Sequence, residues 1–189
     1  MNRFLVEPAQ LSPDAIAVID ASTGETTTRA ELLQATRSVA RLLLSRGVVP
    51  EQRIIMCCLD SKAFLAWFWG TMWIGAVPVP VSTMLTEKDY QFLIEDSRAV
   101  GLVISDALKE SVGQAAENQP FLSWTQKDDD VPELKVDAEF GTPFPAVDDD
   151  IAFWLYTSGT TGFPKGAMHR HADLAFCTDM YAEAVLGMN

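Results

Sequence analysis

The chain has 189 residues, 48% of them hydrophobic, and a formal net charge of -12 at pH 7. That length and apolar content exclude a disordered segment and suffice for a buried core. The acidic balance excludes a protein that grips DNA or RNA through a basic face.

The opening residues, "MNRFLVEP", carry no apolar stretch of a secretory signal. Cys57, Cys58 and Cys177 show no Cys-x-x-Cys spacing, so reduced thiols in a cytoplasmic protein are expected. "AIAVID" (Ala15 to Asp20) predicts a strand. Thr28 followed by Glu31 forms a capping box for a helix through about Arg46, with Leu32, Leu33, Val39, Leu42 and Leu43 on its apolar face. Gly47 ends it. "RIIMCCL" from Arg53 predicts a buried strand that turns Cys57 and Cys58 to opposite faces.

From Ala63 to Thr86 there is no charged residue. The length would permit a membrane span. Gly70, Gly75, Pro78 and Pro80 instead divide it into a buried helix, which Asp60 can cap, and a short strand. The prolines suit an edge or irregular strand. Thr86 with Asp89 is a second capping box, for a helix to about Arg98. "VGLVIS" (Val100 to Ser105) predicts another strand, followed by a helix from Asp106 to about Glu117. Residues 125–150 read as an acidic, solvated linker loop, because Gln126 to Asp150 holds nine carboxylates against two lysines. "IAFWLY" then suits a strand buried on both faces, "GAMHRH" is extended, and a helix begins near Asp173.

Strands alternating with helices predict an α/β fold, a mainly parallel sheet with helices on both faces. Directly behind "IAFWLY" stands "YTSGTTGFPKG", Tyr156 to Gly166. Glycines permit close backbone approach, Ser and Thr are short donors, and Lys165 is a compact positive charge. The set suits a polyphosphate. It is not a Walker A loop, because the fifth residue after Gly159 is Pro164 and Lys165 is followed by Gly166. Gly-x-Gly-x-x-Gly and Gly-x-Ser-x-Gly are also absent.

The ordered string resembles the phosphate-binding motif of the AMP-forming acyl-CoA synthetase superfamily, the adenylate-forming enzymes. Thr157, Ser158, Gly159, Thr160, Thr161, Gly162, Pro164, Lys165 and Gly166 match its pattern, with Phe163 at a variable position. "GTMWIGAVPVPV" and "ETTTRAELLQATRSVARLLLSRGV" are similar to upstream parts of the same superfamily. "VPVPVSTMLTEKDYQFLIEDSRAVGLVIS" and "DIAFWLYTSGTTGFPKGAMHRHADL" resemble benzoate–CoA ligases and related aryl-CoA ligases in particular.

The resemblance implies that residues 156–166 form a phosphate-binding loop within the N-terminal part of a large adenylation domain. It implies ATP, Mg²⁺ and CoA as cofactor and co-substrates, with a carboxylic acid, benzoate-like, as substrate. Thr157, Ser158, Gly159, Thr160, Thr161, Gly162 and Lys165 would bind phosphate, and Lys165 would be catalytic. It allows a homodimeric full-length parent. The family's adenine-contacting aromatic segment, ribose-binding Asp, magnesium-contacting Glu and C-terminal catalytic Lys have no match here and are expected after Asn189. The isolated chain is therefore expected to be inactive.

His169 and His171 would share one face of a strand, but two histidines without a third ligand make a poor zinc site. His171 better fits the histidine that closes this strand in the resembled family. Trp67, Trp69 and Trp73 suit core packing better than a substrate wall. Two alternatives stay open: an enzyme loading another carboxylic acid onto CoA or a carrier protein, and a non-catalytic anion-binding domain.

Overall fold

The computed structural model describes residues 1–129, 141–157 and 164–187. A π-helical turn (Asn2–Val6) and a short helix α1 (Glu7–Leu11) precede an antiparallel pair, β1 (Ile16–Ile19) and β2 (Thr26–Thr28). Helix α2 (Arg29–Ser45) starts at the expected capping box: the Glu31 N–H donates to Thr28 Oγ1 at 3.2 Å, and the Thr28 N–H donates to the Glu31 carboxylate at 2.7 Å. Gly47, at φ 75°, takes the left-handed turn that ends it.

Four parallel strands follow: β3 (Arg53–Cys57), β4 (Val77–Pro80), β5 (Gly101–Ile104) and β6 (Trp124–Lys127), in the order β4-β3-β5-β6. Helices α3 (Lys62–Trp73), α4 (Glu87–Ser97) and the short α5 (Lys109–Gly113) connect them. Successive side chains of a strand point to opposite faces, and the core divides accordingly. Ile54, Met56 and Cys58 join α2 and α3 on one side; Ile55 and Cys57 join Tyr90, Leu93 and Ile94 of α4 on the other. Both thiols are buried and unpaired, and burial pushes them up; Cys177 is free and exposed.

The α2–α3 crossing is close because Gly70 has no side chain. A Cβ there would lie 2.6 Å from Val39 Cγ1 and 2.9 Å from the Thr36 carbonyl oxygen. Trp67 and Trp73 are buried in the same core, and the Trp67 indole N–H donates to the Asp128 carbonyl at 2.9 Å. Among the described residues no helix is long and apolar enough to cross a membrane.

Pro78 and Pro80 are tolerated in β4 because only one side of that strand is hydrogen-bonded within the parallel sheet. Its Val77 N–H donates to Gln52 and the following Val81 N–H to Met56, so the proline nitrogens fall on the alternate side.

Five expectations are corrected. Ser61, not Asp60, caps α3, its hydroxyl accepting the Phe64 N–H at 3.1 Å. The helix expected over Asp106 to Glu117 is a 3₁₀ turn (Asp106–Leu108) and α5, which stops at Gly113, a poor helix former. The helix expected from near Asp173 is α6 (His171–Cys177), which begins two residues before Asp173, whose carboxylate accepts the Arg170 N–H at 2.8 Å, and runs on into a π-helical segment (Thr178–Glu183).

The expected linker begins inside a strand. β6 pairs with β5 through its backbone, while "WTQK" shows no apolar alternation that could have announced it. The next residue, Asp128, is buried: its N–H donates to Ile104 and its carboxylate accepts the Ser105 hydroxyl. The far end of the segment is anchored as well. The Phe144 ring packs on Gly75, where a Cβ would approach to 2.7 Å, and the Phe144 N–H donates to the Trp73 carbonyl at 2.7 Å.

Lastly, β7 (Ile151–Thr157) pairs antiparallel with β8 (Lys165–Arg170) in a separate hairpin beside β4. It is not buried on both faces: Trp154 and Tyr156 pack on the core of α4, whereas Ile151 and Leu155 are 37% and 39% exposed. One face of β7 rests on the parallel sheet's own core, and the described residues leave Ile151 and Leu155 on the other face partly open.

Candidate functional site

The hairpin register sets Thr157 directly opposite Lys165 and Tyr156 opposite Gly166. The two ends of the predicted phosphate motif are thus paired strand residues, and the connection between the strands is residues 158–164. Ser158, Gly159, Thr160, Thr161 and Gly162 lie outside the described residues, as does Phe163. Of the seven candidate site residues, Thr157 and Lys165 are placed, and the fold brings them together.

Thr157 Oγ1 lies 3.5 Å from the Lys165 carbonyl oxygen, a long contact that holds the hydroxyl only weakly. Both residues are exposed, and among the described residues no carboxylate pairs with Lys165. A cation and a hydroxyl at one mouth, with no acid to neutralise the cation, fit an anionic phosphate group. Mg²⁺ in such a site would be held mainly by phosphate oxygens. Among the described residues no three His, Cys, Asp or Glu side chains gather as a metal cage.

The base of the hairpin is tied to the parallel domain by residues that sequence reasoning missed. The Tyr156 hydroxyl donates to the Asp96 carboxylate on α4 at 2.6 Å, and burial pushes the phenol pKa up, with Asp96 adding to the effect. The Tyr156 ring also lies over Gly166, where a Cβ would sit 3.5 Å from it. Two residues earlier, the Arg53 guanidinium covers the Trp154 ring at 5.6 Å, while Arg53 Nε donates to the Ser97 carbonyl at 2.8 Å. Tyr156 stands at the edge of the motif, but Asp96 is an exposed residue of α4 that no local pattern marks.

The two histidines part company. His169 stacks on Phe153, with ring centroids 4.6 Å apart and planes at 8°. His171 opens α6, and its backbone N–H donates to the Asp150 carbonyl at 3.0 Å. Its pKa is lowered by burial and by the Met1 ammonium, against Asp150 and Asp148.

A cavity of about 1190 Å³ opens elsewhere, at the carboxyl ends of β3, β5 and β6. Neither Thr157 nor Lys165 lines it, and Asp60, Asp106, Asp128 and Asp129 do. Those carboxylates would repel a polyphosphate.

A family model described as "AMP-binding enzyme" matches residues 5–188. The chain is 37% identical over 150 residues to a 4-hydroxybenzoate–CoA/benzoate–CoA ligase of Rhodopseudomonas palustris, covering 75% of this chain and 28% of that one. It is 33% identical over 162 residues to a benzoate–CoA ligase of Thauera aromatica, covering 82% and 31% respectively. A benzoate CoA ligase structure from Burkholderia xenovorans superposes with a TM-score of 0.85 at 31% identity, over 98% of this chain and 37% of that one. The chain therefore spans about a third of the length of the curated relatives it matches.

Proposed function

The chain belongs to the AMP-binding enzyme family, and from that premise we propose that it is the N-terminal part of an ATP-dependent ligase joining an aromatic carboxylate to CoA. The observation that carries the reading is the pairing of Thr157 with Lys165 across the hairpin, with the hydroxyl- and glycine-rich string between them. Relatives that are benzoate–CoA ligases support the aromatic acid.

In this reading a carboxylate oxygen attacks the α-phosphorus of ATP, pyrophosphate leaves, and the CoA thiol then displaces AMP from the acyl-adenylate. Negative charge grows on the departing pyrophosphate. Lys165 would supply a cation there and Thr157 a donor, stabilising that charge as the bond breaks. Ser158, Gly159, Thr160, Thr161 and Gly162 would complete the cradle with hydroxyls and closely approaching backbone. Bound Mg²⁺ would neutralise phosphate oxygens.

The test is a substrate panel on the full-length gene product: benzoate, hydroxybenzoates, a long-chain fatty acid and an amino acid, each with ATP and CoA. Thioester formation with AMP release should be fastest for the aryl acids. Preference for the fatty or amino acid would replace the aromatic assignment, and no AMP release with any acid would leave an anion-binding domain.

A further inference from the structure

Tyr156 makes three contacts that meet at one place. It pairs with Gly166 in the hairpin register, its ring lies over that glycine, and its hydroxyl donates to Asp96 at 2.6 Å. Thr157 follows it on one strand and Lys165 precedes Gly166 on the other. A single side chain therefore touches both strands at the mouth of the candidate phosphate site and fastens them to helix α4. The strand itself is otherwise held to the parallel domain mainly by packing, which resists sliding less than a directional bond to a charged acceptor.

We propose that Tyr156 and Asp96 form a clamp that positions Thr157 and Lys165 for phosphate, with Tyr156 a positioning residue rather than a catalytic one. A Cβ at Gly166 would meet the Trp154 ring at 3.4 Å and the Tyr156 ring at 3.5 Å, ordinary contact distances, so both rings lie against that stretch of backbone. The phenol stays protonated at working pH because burial and the neighbouring carboxylate both disfavour phenolate, so it remains a donor. Loss of the bond would let the hairpin mouth shift relative to the parallel domain. A displacement of about 1 Å near reacting groups costs up to roughly a hundredfold in rate.

The proposal rests on the phosphate-site reading, and the experiment separates the two. Single-turnover acyl-adenylate formation is measured in the full-length gene product for wild type, Tyr156→Phe, Asp96→Ala, Asp96→Asn, Tyr156→Phe/Asp96→Ala and Lys165→Ala. Tyr156→Phe and Asp96→Ala should each slow adenylation by roughly tenfold, with the KM for the carboxylic acid unchanged. The double variant should be no slower than the slower single variant, as expected for one shared contact. Asp96→Asn keeps an oxygen acceptor for the phenol and should recover most of the wild-type rate. Asp96 is an exposed helix position, so its variants test the clamp even if Tyr156→Phe fails to fold. Wild-type rates in Tyr156→Phe and Asp96→Ala beside a slow Lys165→Ala would overturn the clamp alone, as would losses that multiply in the double variant. A wild-type rate in Lys165→Ala would overturn the phosphate-site reading and the clamp with it.

Discussion

Lys165 is the residue on which the proposed chemistry turns. It begins β8, is exposed, and stands opposite Thr157. If its ammonium stabilises charge on the departing pyrophosphate, that interaction strengthens in the transition state and is weak toward the carboxylic acid. Lys165→Ala in the full-length protein should therefore slow adenylation on the order of a hundredfold or more. The KM for the acid should change little. Rapid-quench measurement of pyrophosphate release at saturating ATP separates these effects. An unchanged rate would assign Lys165 to the surface.

At the scale of elements, helices α2 and α4 share one device. Glu31 closes the capping box on Thr28, and Asp89 closes that on Thr86. The Glu31 pKa is lowered chiefly by the Thr28 backbone N–H, and the Asp89 pKa chiefly by the Thr86 hydroxyl. A carboxylate held below its unfolded value contributes stability above that value and loses it as pH falls through the folded one. The thermal midpoint of the chain should thus drop on acidification through and below the ordinary carboxylate range. In a Glu31→Gln/Asp89→Asn variant the acid-induced drop should be smaller, because the amides accept a bond without titrating. Equal drops in the two proteins, followed by circular dichroism across that pH range, would place the acid sensitivity elsewhere.

For the whole molecule, the deciding fact is extent. The chain spans about a third of its curated relatives, and it exposes Leu155 and Met168 on the hairpin, Phe176 on α6 and Val185 in the turn near its end. In the proposed reading, the residues that contact adenine and ribose belong to the part of the relatives that this chain does not span. Residues 1–189 alone should accordingly release no AMP from ATP, benzoate and CoA above a Lys165→Ala control. A sensitive coupled AMP assay on the purified chain checks this, and turnover above the control would show that the site needs nothing further.

Several features were legible in the sequence because their causes are local. Both capping boxes follow from a hydroxyl and a carboxylate three residues apart, and the opposed Cys57 and Cys58 follow from the two-residue period of a strand. The family followed from the order of residues 157–166, since composition alone fits many glycine-rich turns. Other features depended on partners far along the chain. β6 has a polar sequence and exists because its backbone pairs with β5; Phe144 needed the bare backbone of Gly75 to dock. Asp96 and Tyr156 are sixty residues apart, and only the packing of β7 against the α4 layer brings carboxylate and phenol to 2.6 Å. Propensity and periodicity act over a few residues, whereas which surfaces meet is settled by burial of the assembled layers, and the Tyr156–Asp96 contact at the hairpin belongs to that second kind.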